Sequence, residues 1–125
     1  MTDLELHFLP GTCARVALIA LEQCGVPFTS RLLKPPVGEP PQPGHLAIDP
    51  QGEVPTLAVG GQPLTGNIAI VSFLARTCPD AGLLPFGHGE LADAQTLSQF
   101  SWLAATVHPM VTRILMPQLF CDTAV

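Results

Sequence analysis

The chain contains few charged residues, and few of those are basic. Only 12% of its 125 residues are charged, and five Lys and Arg stand against ten Asp and Glu, which gives a net charge of −5. Nucleic acids and acidic membrane surfaces attract proteins through clustered positive charge, so this balance argues against both as partners. The charged fraction is also low for a soluble monomer, which indicates that a partner covers some apolar surface.

Long apolar runs and the layout of a signal peptide are missing as well. No apolar run is long enough to span a bilayer, and residues 1–5 are acidic where a signal peptide would be basic. We therefore expect a cytoplasmic protein with no membrane partner. A hydrophobic content of 47% over this length is enough for a real core.

The sequence has no C-x-x-C pair and no Cys or His spacing typical of a metal site. Its cysteines are far apart and should be free thiols in a reducing compartment. Cys24 and Cys78 fall on the apolar faces of predicted helices, so we expect them to be small core residues. Among the histidines, His7 and His45 are expected at the surface or at an edge.

The opening of the chain predicts a strand, a helix and a second strand. Residues 4–8 alternate in polarity, as a strand does. Thr12 is a good N-cap, which would place Cys13 at the first position of a helix that ends near residue 24. A second strand follows over residues 27–33, and such a unit implies parallel strands with a right-handed crossover.

The middle of the chain contains a proline-rich loop and a hairpin. Five prolines over residues 34–43 exclude a regular helix there. Residues 57–65 predict a hairpin turning at two glycines. Gly66 and Asn67 then cap a predicted helix over residues 68–78.

The Val54–Pro55 pair immediately before the hairpin has two interpretations. One is an ordinary strand start with a trans proline, which this stretch alone favours. The other is a cis proline that leaves the N–H and C=O of Val54 unpaired, ready to hold a peptide-like ligand. The residues of this stretch leave both open.

The tail predicts a linker over residues 83–89 and one long helix over residues 90–116, with a kink at Pro109. This helix has two apolar stripes and needs cover on two sides. The first domain can cover one of the two apolar stripes. The other must be covered by another chain or by sequence not included in these 125 residues.

Three segments in this order resemble the glutathione S-transferase superfamily, closest to bacterial beta-class members. They are Phe8-Leu9-Pro10-Gly11-Thr12-Cys13, Leu46-Ala47-Ile48-Asp49-Pro50-Gln51-Gly52-Glu53-Val54-Pro55-Thr56-Leu57 and Leu64-Thr65-Gly66-Asn67-Ile68-Ala69-Ile70. The resemblance implies an α/β fold. A thioredoxin-like, glutathione-binding domain (βαβ-loop-ββα) would occupy residues 1–82. The linker and first long helix of a truncated all-α domain would occupy residues 83–125.

The resemblance also implies site residues, with glutathione as co-substrate. Val54, before a cis Pro55, would pair by its backbone with the cysteinyl part of glutathione. Asn67 and the helix N-terminus would hold the γ-glutamyl carboxylate, and Lys34 the glycyl carboxylate. The implied glutathione-binding set is Lys34, Glu53, Val54, Pro55, Gly66 and Asn67, and the implied catalytic pair is Cys13 and His108.

Four residues qualify this chemistry. Gly66 stands where the family carries an acidic residue, and the lost charge-assisted hydrogen bond is worth about 1.5–3 kcal/mol. Cys13 at a helix N-terminus should have a lowered pKa, although it could instead be a buried packing residue. His108 could likewise be a histidine that simply fills the groove between the domains, and Thr12 could donate to a thiolate rather than cap the helix.

We therefore expect a glutathione transferase-like enzyme that conjugates glutathione to a small electrophile or exchanges disulfides, and that forms a homodimer. One alternative is a non-catalytic glutathione-binding or dimerising module. Another is a fragment of a longer transferase.

Overall fold

The computed structural model describes residues 2–33 and 43–121. The strands are β1 (Leu4–Phe8), β2 (Thr29–Leu32), β3 (Thr56–Val59) and β4 (Gln62–Thr65), and the helices are α1 (Arg15–Cys24), α2 (Pro43–Ile48), α3 (Asn67–Thr77), α4 (Glu90–Trp102) and α5 (His108–Leu115). The chain forms two compact units, Met1–Leu84 and Pro85–Val125, each of which is described by itself.

The first unit is built on a four-stranded mixed sheet in the order β2-β1-β3-β4. The strands β1 and β2 are parallel, whereas β3 is antiparallel to both β1 and β4. The predicted strand–helix–strand opening and the hairpin are therefore confirmed. The second strand is shorter than expected, because only Thr29–Leu32 pairs with β1.

The core of the first unit lies between the sheet and the helices α1 and α3. Apolar side chains from all three are fully buried, among them Leu6, Leu21, Leu57, Ile70 and Leu74. His7 points to the other face of β1, where the ring of His45 from α2 lies 5.6 Å away, and it is completely buried. The prediction that His7 is a surface or edge residue is therefore wrong.

The start of α1 differs from the sequence prediction. The helix begins at Arg15, and its N-cap residue is Ala14. Cys13 belongs to the preceding turn, in which the Thr12 hydroxyl donates to the Leu9 carbonyl at 2.6 Å and accepts the Ala14 N–H at 3.2 Å. Thr12 thus fixes the turn that carries Cys13 instead of capping the helix itself.

The second unit contains an interrupted helix where one long helix was expected. A π-helical stretch, Leu103–Val107, separates α4 from α5. Pro109 has no N–H to donate and its ring crowds the preceding turn, so a wider turn before it relieves the clash. Apolar side chains on α5 are exposed to solvent, and Ile114 and Leu115 are each more than 70% exposed. Among the described residues, no helix has the length and apolar character to cross a membrane.

Candidate functional site

Three segments of the first unit meet at one point, each tied to the next by a hydrogen bond. The Cys13 thiol donates to the Val54 carbonyl at 3.6 Å. The Gly66 N–H donates to the Pro55 carbonyl at 3.1 Å, and the Asn67 side-chain amide donates to the Cys13 carbonyl at 2.8 Å. The structure therefore brings together the Cys13 turn, the Val54–Pro55 pair and the start of α3, as the sequence interpretation required.

The backbone of Val54 is the open part of this cluster. The Val54–Pro55 peptide bond is cis. Within residues 2–33 and 43–121, the Val54 N–H has no acceptor, and the thiol of Cys13 is the donor to its carbonyl. An unpaired donor and a weakly occupied acceptor on one residue are what an extended peptide needs for strand-like pairing.

A buried carboxylate holds the segment that leads into Val54. Asp49 is only 2% exposed. Its oxygens accept the N–H groups of Gln51 at 3.0 Å and Glu53 at 3.1 Å, and the Thr56 hydroxyl at 3.4 Å. This role of Asp49 was not predicted from the sequence. Asp49 followed by Pro50 is nevertheless a turn signal, because an Asp side chain often bonds the backbone two residues on.

Two histidines lie behind the same segment. The ring of His45 is only 3% exposed, and its Nε2 donates to the Glu53 carbonyl at 2.9 Å. The ring of His7 lies 5.6 Å away, centroid to centroid, and its Nε2 bonds Glu5 at 2.7 Å. The expectation that His45 is a surface or edge residue is therefore wrong, since α2 packs it against the central strand.

The electrostatics of Cys13 also differ from the prediction. Partial burial is the main cause that raises the pKa of the Cys13 thiol, its own backbone N–H acts in the opposite direction, and the Glu53 carboxylate raises it further. A lowered pKa was expected from the dipole of α1, but Cys13 precedes the helix and is desolvated. The thiol is therefore protonated at neutral pH, which agrees with its role as a donor to Val54.

The start of α3 presents its backbone rather than a capping side chain. The N-cap is Gly66, and no side-chain hydrogen bond caps the helix. The helix starts at Asn67, one residue earlier than predicted, and the Asn67 amide group is turned toward Cys13. The first N–H groups of α3 thus remain for an anion.

The other predicted site residues are placed as follows. Glu53 is exposed, its N–H and C=O serve the Asp49 and His45 contacts, and only its carboxylate is left for a ligand. Lys34 lies outside the described residues. His108 is exposed at the first position of α5 in the second unit.

Comparison with known proteins identifies the family. The profile of the glutathione S-transferase N-terminal domain matches residues 11–77, more than half of the chain. This chain belongs to the glutathione S-transferase family. The matched residues include the Cys13 turn, the Val54–Pro55 pair and all of α3, so the match falls on the segments that build the site.

Individual members of this family are similar over most of the chain. A maleylacetoacetate isomerase of Rhizobium meliloti (strain 1021) is 37% identical over 93 residues, which are 74% of this chain and 42% of that protein. A glutathione transferase homolog from Sulfitobacter, solved with bound glutathione, has 31% identity and a TM-score of 0.81, and the match covers 98% of this chain and 59% of that one. A bacterial beta-class transferase from Sphingomonas chungbukensis has 30% identity and a TM-score of 0.75, covering 90% and 57%.

These comparisons confirm the predicted thioredoxin-like transferase fold and the resemblance to bacterial beta-class members. They also show a difference in length. The chain spans about half the length of the curated relatives it matches.

Proposed function

We propose that the first unit binds glutathione through the backbone of Val54, and that the protein conjugates glutathione to a small electrophile. The observation that carries this proposal is the open backbone of Val54, next to the cis proline and beside a thiol. The cysteinyl N–H and C=O of glutathione would pair with the C=O and N–H of Val54. The glutathione transferase homolog solved with glutathione supports the choice of ligand.

Binding would exchange one hydrogen bond for others. The Cys13 thiol now donates to the Val54 carbonyl, which is the acceptor that the glutathione backbone needs. Released from that carbonyl, the protonated thiol can donate to the sulfur of bound glutathione and stabilise its thiolate. A hydrogen bond to the charged form lowers the pKa of the glutathione thiol, and the thiolate is the nucleophile in conjugation.

The two ends of glutathione would meet different groups. Its γ-glutamyl carboxylate fits the uncapped N–H groups at the start of α3, beginning with that of Asn67. Gly66 would border the carboxylate without donating to it, because its N–H is bonded to the Pro55 carbonyl. On the basis of the family resemblance, we propose that Lys34 binds the glycyl carboxylate and that Glu53 lies at the rim of the glutathione site. Because Gly66 offers no carboxylate to the α-amino group, glutathione should bind roughly ten- to a hundredfold more weakly than with an acidic residue there.

Conjugation is favoured over disulfide exchange by the pKa of Cys13. Exchange requires the Cys13 thiolate, and burial raises its pKa. Conjugation uses the glutathione thiolate instead and needs Cys13 only as a donor. A catalytic role for His108 rests on the resemblance alone.

The similarity to maleylacetoacetate isomerase gives a second candidate activity, the isomerisation of that substrate. A non-catalytic glutathione-binding module is the remaining alternative, since whole-protein activity in the relatives belongs to chains about twice as long.

Calorimetry and turnover together test these candidates. Glutathione should bind the purified protein, and turnover should appear with either a chlorinated aromatic electrophile or maleylacetoacetate. Binding without turnover would support the module. A protein that binds no glutathione would refute the proposed function altogether. Cys13→Ala should lower turnover more than it lowers affinity, and His108→Ala tests the second catalytic residue.

We also propose a homodimer in the cytoplasm. Support for the dimer comes from the exposed apolar side chains of α5. Support for the location comes from the free thiols, which are usual in a reducing compartment.

A further inference from the structure

Cys24 and Cys78 lie next to each other, although 53 residues separate them in the chain. Cys24 is the last residue of α1, and Cys78 directly follows α3. The helices α1 and α3 pack against each other, and the Cys24 and Cys78 side chains are close enough to influence each other. Both are half-buried free cysteines, so a small reagent can reach them.

The packing of α1 beside α3 explains this contact. At their N-terminal ends the helices are joined by the hydrogen bond from Asn67 to the Cys13 carbonyl. Cys24 follows Cys13 by eleven residues, and Cys78 follows Asn67 by the same number. Eleven residues make about three helical turns, which return each chain to the same face. Two parallel helices that touch at one end are thus in register to touch at the other.

We propose that Cys24 and Cys78 form a redox-responsive dithiol, which closes to a disulfide when a small disulfide such as glutathione disulfide acts as oxidant. One cysteine thiolate attacks a sulfur of the small disulfide and releases one thiolate of the small thiol. The second cysteine thiolate then attacks the mixed disulfide and releases the other. The protein loses two protons and two electrons, and the small disulfide is reduced to two thiols.

The surroundings of Cys24 set the speed of this reaction. Burial, together with the neighbouring Cys78 thiol, raises the pKa of Cys24 to about 11. At neutral pH Cys24 is therefore held as a thiol, and its reaction should accelerate as pH rises toward 11. Among the residues that the structure describes, no positive charge lowers the pKa of Cys24, so the reduced state lacks the stabilisation that makes some disulfides strong oxidants.

Closure would fasten the C-terminal ends of the two helices that carry the glutathione site at their other ends. The bond would close a long loop, and its effect on unfolding should be an upward shift of the midpoint on the order of 10 °C. This inference does not depend on whether glutathione binds at Val54, because the pair lies at the far ends of α1 and α3.

The sequence makes the test direct. Trypsin cuts after the arginines and spares Lys34, which precedes a proline, so each cysteine falls in its own peptide. The Cys24 and Cys78 peptides cover residues 16–31 and 77–113. The folded protein is incubated with glutathione disulfide at pH 7 and pH 9, alkylated, and digested without reduction.

We expect peptides 16–31 and 77–113 to be joined within a monomer, faster at pH 9, with the loss of about 2 Da that disulfide formation requires. Cys24→Ala and Cys78→Ala should each abolish the joined peptide, whereas Cys121→Ala should leave it. Separate glutathione adducts on the two peptides would overturn the proposal. The proposal would also be overturned if both peptides stayed unreacted in the folded protein under conditions where the unfolded chain reacts fully. A joined peptide found only in covalent dimers would overturn it as well.

Discussion

Gly66 affects the protein in two ways: its backbone conformation favours glycine, and it lacks the acidic side chain expected to bind glutathione. Two substitutions separate the effect on stability from the effect on affinity. Its φ of 84° and ψ of 145° lie in a region that residues with a Cβ rarely adopt. A Cβ added there would meet no heavy atom within 4 Å. The cost of Gly66→Ala is therefore the backbone conformation alone, about 1–3 kcal/mol of the free energy of unfolding.

Thermal unfolding measures that cost. For a domain of this size, 1–3 kcal/mol corresponds to a midpoint lowered by roughly 4–20 °C. Gly44→Ala is the matched control, because Gly44 lies in α2 and also has open space around its Cβ, but has no positive φ. The control should be neutral or slightly stabilising. If Gly66→Ala proved as stable as the control, the conformation assigned to Gly66 would be wrong.

Gly66→Glu carries the same backbone cost and also restores the acidic group typical of the family. Compared with Gly66→Ala, it should bind glutathione roughly ten- to a hundredfold more tightly, since a hydrogen bond to a charged group is worth about 1.5–3 kcal/mol. Calorimetric titration of the two variants provides the comparison. Equal affinities would refute the idea that Gly66 is the reason for weak binding.

Three further predictions concern a thiol, a carboxylate and the assembly. The rate of Cys13 alkylation, measured on peptide 1–15, should still increase with pH above pH 9 in the folded protein, because burial raises the pKa of the thiol. In urea the same rate should level off with increasing pH. The stability that the protonated thiol contributes is present below the unfolded-state pKa and lost as pH rises through the folded-state value. Asp49→Ala should lower the unfolding free energy by about 2–3 kcal/mol, whereas the exposed Glu22→Ala should change it little; equal losses in urea titrations would contradict the Asp49 contacts. Sedimentation at micromolar concentration should show a dimer, and a monomer would contradict the proposed interface.

The sequence predicted the parts of the fold that depend on local pattern. The alternation in β1, the glycine turn between β3 and β4, and the apolar stripe of α3 are all local signals, and each element formed within a few residues of its predicted bounds. Family motifs then brought Cys13, Val54 and Asn67 together, and the structure joins them by hydrogen bonds.

Features that depend on how elements pack could not be predicted in the same way. The pKa of Cys13 is raised because the turn before α1 is desolvated, which a helix-start pattern does not reveal. His7 is buried because α2 brings the His45 ring against its face of β1. Cys24 and Cys78 meet because two helices far apart in sequence lie in register. In the second unit, the interruption before Pro109 was expected as a kink, but its π-helical form depends on the backbone around it.

The proposed binding site depends on pairing between glutathione and the backbone of Val54. Amide spectra of the ¹⁵N-labelled protein, recorded while glutathione is added, test it most directly. We expect the signals of the Val54 N–H and of the first N–H groups of α3 to shift as the site fills, while that of Gly61 at the hairpin turn stays unchanged. A saturating shift that leaves Val54 unaffected, or no shift at millimolar glutathione, would contradict it.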